Sequence, residues 1–202
     1  MPTAKTPPHA AQNSVLGTPY SVPTEPDFLV CPFTIIIDSR EQAPYSFRGF
    51  NADARDKRRP LIVRTEVRGL ASGDYSLFGL ESRIAVERKS IDDLFSTLGQ
   101  GRDRFERELQ RLSEMDFAAV VIEAGWSAIV GQPPPHTKLS PKSVYRSVIA
   151  WQQRYPKIHW WPCDTRTFAE RTTFRILERF WSEEFRRISG KPAKNVVSGV
   201  TA

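Results

Sequence analysis

The residues best equipped for chemistry lie in two short runs, Gly73-Asp74 and Glu87-Arg88-Lys89. Glu87 and Lys89 end an apolar, β-branched stretch that starts at Arg83. Alternate residues of a strand share a face, so these two side chains project together. Asp74 opens the preceding stretch, Asp74-Tyr-Ser-Leu-Phe78, and the turn-like Gly79-Leu-Glu-Ser82 predicts a hairpin that brings Asp74 to the same edge. Two carboxylates and one ammonium then surround one point. Two carboxylates, with waters and substrate oxygens, are the usual protein contribution to a Mg²⁺ site. An ammonium beside them can steady an attacking water or the charge that develops on a phosphate.

Further acidic candidates flank this pair. Asp38 and Glu41 follow the apolar run Phe33-Thr-Ile-Ile-Ile37, Asp93 falls one turn into the segment after Lys89, and Glu66 sits on a neighbouring strand. The chain carries 29 Lys and Arg against 23 Asp and Glu, a net charge of +6, which suits a polyanionic partner. Clustered carboxylates would repel such a partner unless a cation reverses their sign. The combination points to metal-dependent phosphodiester cleavage. Each motif also has a plain reading. Gly-Asp is a common turn pair, Glu-x-Lys on a strand is often a same-face salt pair worth under about 1 kcal/mol, Asp38 and Glu41 could be a solvated strand end, and Asp93 could serve only to cap a helix.

The elements that must position these residues are legible from periodicity. Strands are predicted at Phe33 to Asp38, near Leu61 to Val67, in the hairpin Asp74 to Lys89, at Phe117 to Ile122, and at Lys157 to Trp161, where one ring of Trp160-Trp161 should point inward. Ser90 with Asp93 resembles a capping box, so a helix starts directly after Lys89, and Gly99 and Gly101 interrupt it. A second helix carries Phe105, Leu109 and Leu112. A third starts at Ser140-Pro141 with Val144, Val148, Trp151 and Tyr155 on one stripe. A long last helix from about Thr167 aligns Phe174, Leu177, Trp181, Phe185 and Ile188. Phe47 to Pro60 and Gly131 to His136 are expected to be loops. Strands alternating with helices argue for an α/β sandwich with a mixed sheet.

Residues 1–30 are Pro-rich and aperiodic, an expected flexible arm. Residues 31–189 form the expected domain, and 190–202 an expected flexible tail. No run approaches the ~20 apolar residues of a membrane span, and the N-terminal segment lacks the pattern of a secretory signal. Cys31 and Cys163 are too few for a disulfide framework and lack zinc-site spacing, which favours a reducing intracellular compartment. His9, His136 and His159 are scattered and are proposed neither as ligands nor as bases. The stretch Arg48 to Arg68 holds seven basic residues against three acidic. Within it Arg58 and Arg59 are candidates for the phosphate backbone, a solvated loop being the alternative. Arg102 and Arg104, near the start of the second helix, are candidates of the same kind. Arg88 falls on the opposite strand face from Lys89, which suits a structural or DNA-backbone role better than proton transfer.

Three ordered blocks carry a resemblance: Ile36-Ile-Asp-Ser-Arg-Glu41, Ser72-Gly-Asp-Tyr75 and Val86-Glu-Arg-Lys-Ser-Ile-Asp-Asp93. Together they resemble the nuclease domain of the XPF family of structure-specific endonucleases, whose hallmark is Gly-Asp, a variable gap, then Glu-Arg-Lys, three residues and Asp. The similarity continues through Gly101-Arg102, Arg104-Phe105, Val121-Ile-Glu-Ala-Gly125 and the Ser143 to Tyr155 segment. It implies a restriction-endonuclease-like three-layer sandwich, a central mixed β-sheet flanked by helices. It also implies Mg²⁺- or Mn²⁺-dependent cutting of DNA at branched or single-strand/double-strand junctions, in repair, recombination or replication, with no nucleotide cofactor, and with it a location that is cytoplasmic and nucleoid-associated in a prokaryote or phage and nuclear in a eukaryote. Carried over by position, Asp74 and Glu87 would bind metal, with the Arg88 backbone carbonyl a further ligand, and Lys89 would position or activate water. Asp38, Arg40, Glu41 and Asp93 would complete the acidic site and its support, Arg40 facing the DNA. The tandem helix-hairpin-helix module and the helicase that some family members carry find no counterpart in these residues. A homodimer through the C-terminal helices, with Trp151, Trp181 and Phe185 as aromatic surface, or a separate partner subunit, is compatible with the sequence, plain core packing of these rings being the favoured alternative. So is a rival reading of another class, a catalytically silent DNA-binding scaffold subunit.

Overall fold

The computed structural model describes residues 28–53 and 58–191; the expected arm up to residue 27, residues 54–57 and the tail from residue 192 lie outside the described residues. Seven strands form one mixed sheet: β1 (Leu29–Asp38), β2 (Phe50–Asp53), β3 (Arg58–Arg68), β4 (Tyr75–Leu77), β5 (Ile84–Lys89), β6 (Phe117–Ile122) and β7 (Ile158–Pro162). Their spatial order is β2-β3-β1-β4-β5-β6-β7. β1 pairs parallel with β3, and β5, β6 and β7 run parallel, while β4 is antiparallel to both β1 and β5. The helices are α1 (Ile91–Gly99), α2 (Arg102–Ser113), α3 (Trp126–Gly131), α4 (Pro141–Arg154) and α5 (Arg166–Ser189).

Strand alternation divides the core into two layers. Ile35, Ile37, Tyr75, Leu77, Ile84, Val86, Ala119 and Val121 face α5 and pack with Phe174 and Leu177. Ala85, Ala118, Val120 and Ile122 face the opposite way and pack with Leu94, Phe105, Leu109, Val144 and Trp151 of α1, α2 and α4. This is the three-layer α/β sandwich the sequence implied, and the continuous apolar runs of β1 and β6 are buried because both faces are covered. The same alternation aims Asp38, Glu87 and Lys89 at the layer of α1 and α2, and Arg88 at the layer of α5.

Helix ends follow their local signals. The Ser90 hydroxyl accepts the Asp93 N–H at 3.1 Å and donates to the Asp93 carboxylate at 2.7 Å, so Ser90 is the N-cap, while the carboxylate engages the Ser90 hydroxyl in place of the Ser90 N–H that a full capping box would use. α5 starts at a Thr165 cap whose side chain accepts from the Phe168 N–H, and ends at Gly190 in the left-handed region.

The structure corrects several sequence expectations. β1 begins at Leu29, earlier than Phe33, and so takes in residues assigned to the arm. The expected loop from Phe47 to Pro60 contains β2, which pairs antiparallel with the start of β3. Its signal is only the alternation of Phe50, packed on Phe174 at 4.6 Å, with buried Ala52, too short to stand out among polar neighbours. The short helix α3 also went unread. Trp151 is wholly buried, so it supplies core and no aromatic surface. The stripe of α5 leaves the core before it ends, Phe185 being 40% and Ile188 72% exposed. A 24-residue helix spans ~36 Å whereas a six-residue strand covers ~20 Å, so its last turns outrun the sheet.

That difference is measurable. Phe174→Ala, which empties a fully buried position between Phe33 and Phe50, is expected to cost about 3–5 kcal/mol in urea unfolding. Ile188→Ala, on the same stripe but exposed, is expected to stay within about 0.5 kcal/mol.

Candidate active site

The site forms where the ends of β1 and β5 meet the start of β4. The backbone of Asp74 bridges the two strands, its N–H donating to the Val86 carbonyl at 2.9 Å and its carbonyl accepting from the Asp38 N–H at 2.8 Å. Gly73 makes this possible. Its φ is +73°, and a Cβ there would stand 2.8 Å from the Ala85 Cβ. Only glycine takes both the left-handed backbone and that close approach to β5 at no cost. The Gly73 N–H donates to Glu108 of α2 at 2.9 Å.

A cleft of about 280 Å³ opens here, lined by Asp38, Arg40, Asp74, Glu87, Lys89 and Glu108, with Arg104 and Arg111 also on its wall. Lys89 Nζ donates to Glu87 Oε1 at 2.7 Å and lies 4.6 Å from the Phe105 ring centre. Asp74 Oδ2 accepts the Arg88 N–H at 2.6 Å. The N–H and C=O of one strand residue point to the same side, so the Arg88 carbonyl also faces the Asp74 edge. Asp74 Oδ1 and Glu87 Oε2 have no protein donor among the described residues.

Burial and like charge set the electrostatics. Desolvation, then the charge of Glu87, raises the Asp74 pKa; desolvation also raises Glu87, with Lys89 opposing it and Glu108 and Glu41 adding to it. Burial works against the Lys89 ammonium, but Glu87, Asp74 and Asp93 outweigh it and hold the pKa above the usual lysine value. Lys89 is therefore a cation and a hydrogen-bond donor. Burial alone would raise Asp38 as well, yet the Arg40 side chain and N–H bind its carboxylate and keep it below the usual range. Arg40 donates to Asp38 Oδ2 at 2.5 and 2.9 Å and to the Leu70 carbonyl at 2.6 Å, while remaining 70% exposed at the cleft mouth.

The other face of β5 carries a second charge network. Arg88 donates to both Glu123 oxygens at 2.8 and 3.0 Å and to Glu41 at 3.4 Å, and all three side chains are buried. Arg166 donates to Glu123 at 2.7 Å and to the carbonyls of Ala43 and Pro44 at 2.7 and 3.1 Å. Both guanidiniums lie against the Tyr45 ring, which stacks on Tyr75 at 5.0 Å. The loop that carries Glu41 is thus clamped to the ends of β5, β6 and α5, and Glu41 is close enough for its charge to raise both Asp74 and Glu87.

Of the sequence candidates, the cleft gathers Asp38, Arg40, Asp74, Glu87, Lys89 and Arg104; Asp93 lines the adjoining depression. Arg88 points away, into its ion pairs. Arg102 is occupied by Ser147 at 3.0 Å, Glu106 at 3.3 Å and the Trp151 ring. Arg58 and Arg59 begin β3, whose other end pairs with Asp38, so they lie at the opposite end of the sheet; the Arg58 side chain lies outside the described residues. Glu66 pairs with Arg68 at 2.7 Å and lines no part of the cleft. Sequence reasoning missed Glu108, Glu123 and Arg166. Glu108 stands about one turn from Phe105 and next to Leu109 on a mostly charged helix, and only the fold shows which charges face β5.

The sequence matches the ERCC4 domain family over residues 37–176, a stretch that contains every cleft residue named above. The chain belongs to the ERCC4 domain family. Its fold is that of a solved XPF structure from Aeropyrum pernix in complex with DNA, which aligns with a TM-score of 0.50 at 19% identity over 75% of this chain and 66% of its own. A second XPF structure from Aeropyrum pernix aligns with a TM-score of 0.49 at 21% identity over 78% and 62%. This chain therefore spans somewhat under two thirds of the XPF chains it matches. No curated protein matches the sequence. No helix among the described residues is long and apolar enough to cross a membrane.

The donor set of this ERCC4 domain fits a hard divalent cation. Asp74 and Glu87 each offer a carboxylate oxygen with no protein donor, and their mutual repulsion in a buried place is what such a cation relieves. Among the described residues no three His, Cys, Asp or Glu side chains form a metal cage; Mg²⁺ commonly takes only one or two carboxylates and keeps waters and substrate oxygens.

Two outcomes follow from this geometry. The raised carboxyl pKa values mean that, above the ordinary 3.8 and 4.5, the folded state holds more protons than the unfolded one, so stability falls as pH rises through that window. Asp74→Asn is expected to raise the melting temperature by several degrees near neutral pH without metal, and to leave it unchanged below the carboxylate range. Gly73→Ala is expected to lose about 1–3 kcal/mol of stability from the left-handed backbone and the clash with Ala85, read by thermal melts.

Proposed function

We propose that this ERCC4 domain is a Mg²⁺- or Mn²⁺-dependent DNA endonuclease that hydrolyses phosphodiester bonds at branched or single-strand/double-strand junctions, in repair, recombination or replication. The observation that carries the reading is the convergence of Asp74, Glu87 and Lys89 on one cleft at the end of a family sheet. Asp74 and Glu87 would hold the cation, with the Arg88 carbonyl on the same edge. When bound, the cation supplies Lewis-acid polarisation of the phosphodiester and stabilises charge on the attacking and leaving oxygens.

The remaining roles belong to the side chains. Lys89, held beside Glu87 by its hydrogen bond and by the Phe105 ring, offers N–H donors to a phosphate oxygen or to the attacking water. Asp38 holds Arg40 at the mouth, where the exposed guanidinium meets the phosphate backbone. Glu41, clamped through Arg88, adds negative potential behind the two ligands and favours the cation. Asp93, bonded to the Ser90 cap of α1, supports the Lys89 charge. Arg88 keeps the Glu41 loop in place from the far face of the sheet.

The test is cleavage of labelled flap, fork, nicked and linear duplex DNA with and without Mg²⁺ or Mn²⁺. The unaltered chain is expected to cut branched substrates in a metal-dependent way. Lys89→Ala is expected to lose at least ~10²-fold in rate while still giving a folded circular dichroism spectrum at the assay temperature, its melt lowered by the loss of the Glu87 ion pair. Tight binding of all four DNAs with no cutting under either metal would overturn the enzyme in favour of the scaffold subunit.

A further inference from the structure

The cleft at Asp74 and Glu87 does not close on its α2 side. Lys89, Thr97 and Arg104 line it and also line a second depression of about 420 Å³ over the turn between α1 and α2. Ser96 and Gln100 of that depression in turn line a third, of about 600 Å³, whose far wall is the segment from Pro134 to Leu139. Shared walls make the three one groove. It runs from the candidate active site, across the C-terminal end of α1, to the loop between α3 and α4.

We propose that this groove is a single-strand subsite, holding a few nucleotides of the strand on one side of the bond that is cut, with Arg104 and Lys138 on its phosphates. The proposal rests on the nuclease reading above and extends it to how the substrate is held. Arg104 is exposed and has no ion pair or hydrogen bond among the described residues, in contrast to Arg102 two positions earlier. Lys138 at the far end is likewise exposed and unpaired. Partnerless cations at both ends of a groove that starts at a phosphodiester-cleaving centre are placed for successive phosphates.

The walls between them suit nucleotides. The Ser96 hydroxyl, the Gln100 amide and the Thr137 hydroxyl offer hydrogen bonds, and the exposed His136 ring offers a face on which a base can stack. The N-cap of α2 is Gly101, with no side-chain cap, so the positive end of that helix lies at the middle depression, with Asp103 the acidic residue of its first turn. Size points to a single strand, because depressions of a few hundred Å³ match ligands of one or two nucleotides. Beyond the active-site cleft, two carboxylates also border the groove. Asp93 is engaged by Ser90 and balanced by Lys89, which leaves Asp92 as the acidic side chain on the wall of the third depression, opposed by Lys138.

The experiment measures fluorescence-anisotropy binding of the full chain, carrying Glu87→Gln to prevent cutting, to duplexes with single-stranded tails of increasing length in either polarity. Affinity is expected to rise over the first few nucleotides in one polarity and then level off. Adding Lys138→Glu is expected to remove roughly tenfold of the increment that the tail contributes and to lower the salt dependence by about one phosphate contact. Arg104→Gln should act in the same direction from the near end. An increment that is absent in both polarities, or unchanged by Lys138→Glu in a protein with an unaltered melt, overturns the subsite. Failure of the nuclease reading shows separately, as tail-dependent binding by an unaltered chain that cuts nothing.

Discussion

One strand, β5, carries the constraint on which the rest depends. Its last residues alternate Glu87, Arg88, Lys89, and the two-residue period of a strand sends neighbours to opposite faces. Glu87 and Lys89 enter the cleft, and Arg88 enters the layer beneath α5, where Glu123 and Glu41 take its charge. Three consecutive ionisable side chains at a buried strand end would be ruinous if they shared a face without partners. Divided between two faces, each finds an opposite charge.

The two faces are linked through the loop after β1. Glu41 belongs to that loop, and its position is fixed from the α5 side by Arg88, by its own acceptance of the Ala43 N–H at 2.6 Å and by Arg166, which grips the Ala43 and Pro44 carbonyls. Tyr45 completes the clamp, its ring under both guanidiniums and its N–H bonded to the Tyr75 hydroxyl at 2.9 Å. The middle residue of the Glu-Arg-Lys run thus works on the site from behind. This structural arrangement suits arginine, whose planar fork can hold Glu123 bidentately while reaching Glu41; a lysine could not do both.

Much of this was legible in the sequence because it rests on short-range rules. Period-two alternation put Glu87 and Lys89 on one face, and Ser90 with Asp93 announced the start of α1. The ordered blocks around Asp38, Gly73-Asp74 and Glu87-Arg88-Lys89 supplied the sandwich. What escaped depended on packing between distant segments. Glu108, Glu123 and Arg166 come from three elements, and nothing in the local pattern of each says which neighbour its charge will meet. Arg102 and Arg104 look equivalent in sequence, yet a 100° step per residue along α2 turns the first toward Trp151 and Glu106 and leaves the second over the cleft. β2 escaped for the opposite reason, being too short for its period to register.

The carboxylates of the site are not interchangeable, and their backbone and side-chain partners sort them. Asp38 has both oxygens engaged by Arg40, so its carboxylate is committed, and its contribution to the cleft is the N–H that holds the Asp74 carbonyl and the arginine it keeps at the mouth. Asp74 and Glu87 each give only one oxygen to a protein donor. Their second oxygens, left without donors in a buried, like-charged pair, raise the energy of the folded chain, and no helix cap or core contact requires them to be there. A fold that keeps two such groups facing one cleft, while neutralising every other buried carboxylate around it, concentrates its unmet negative charge at the one place where a divalent cation and a phosphate can meet it together.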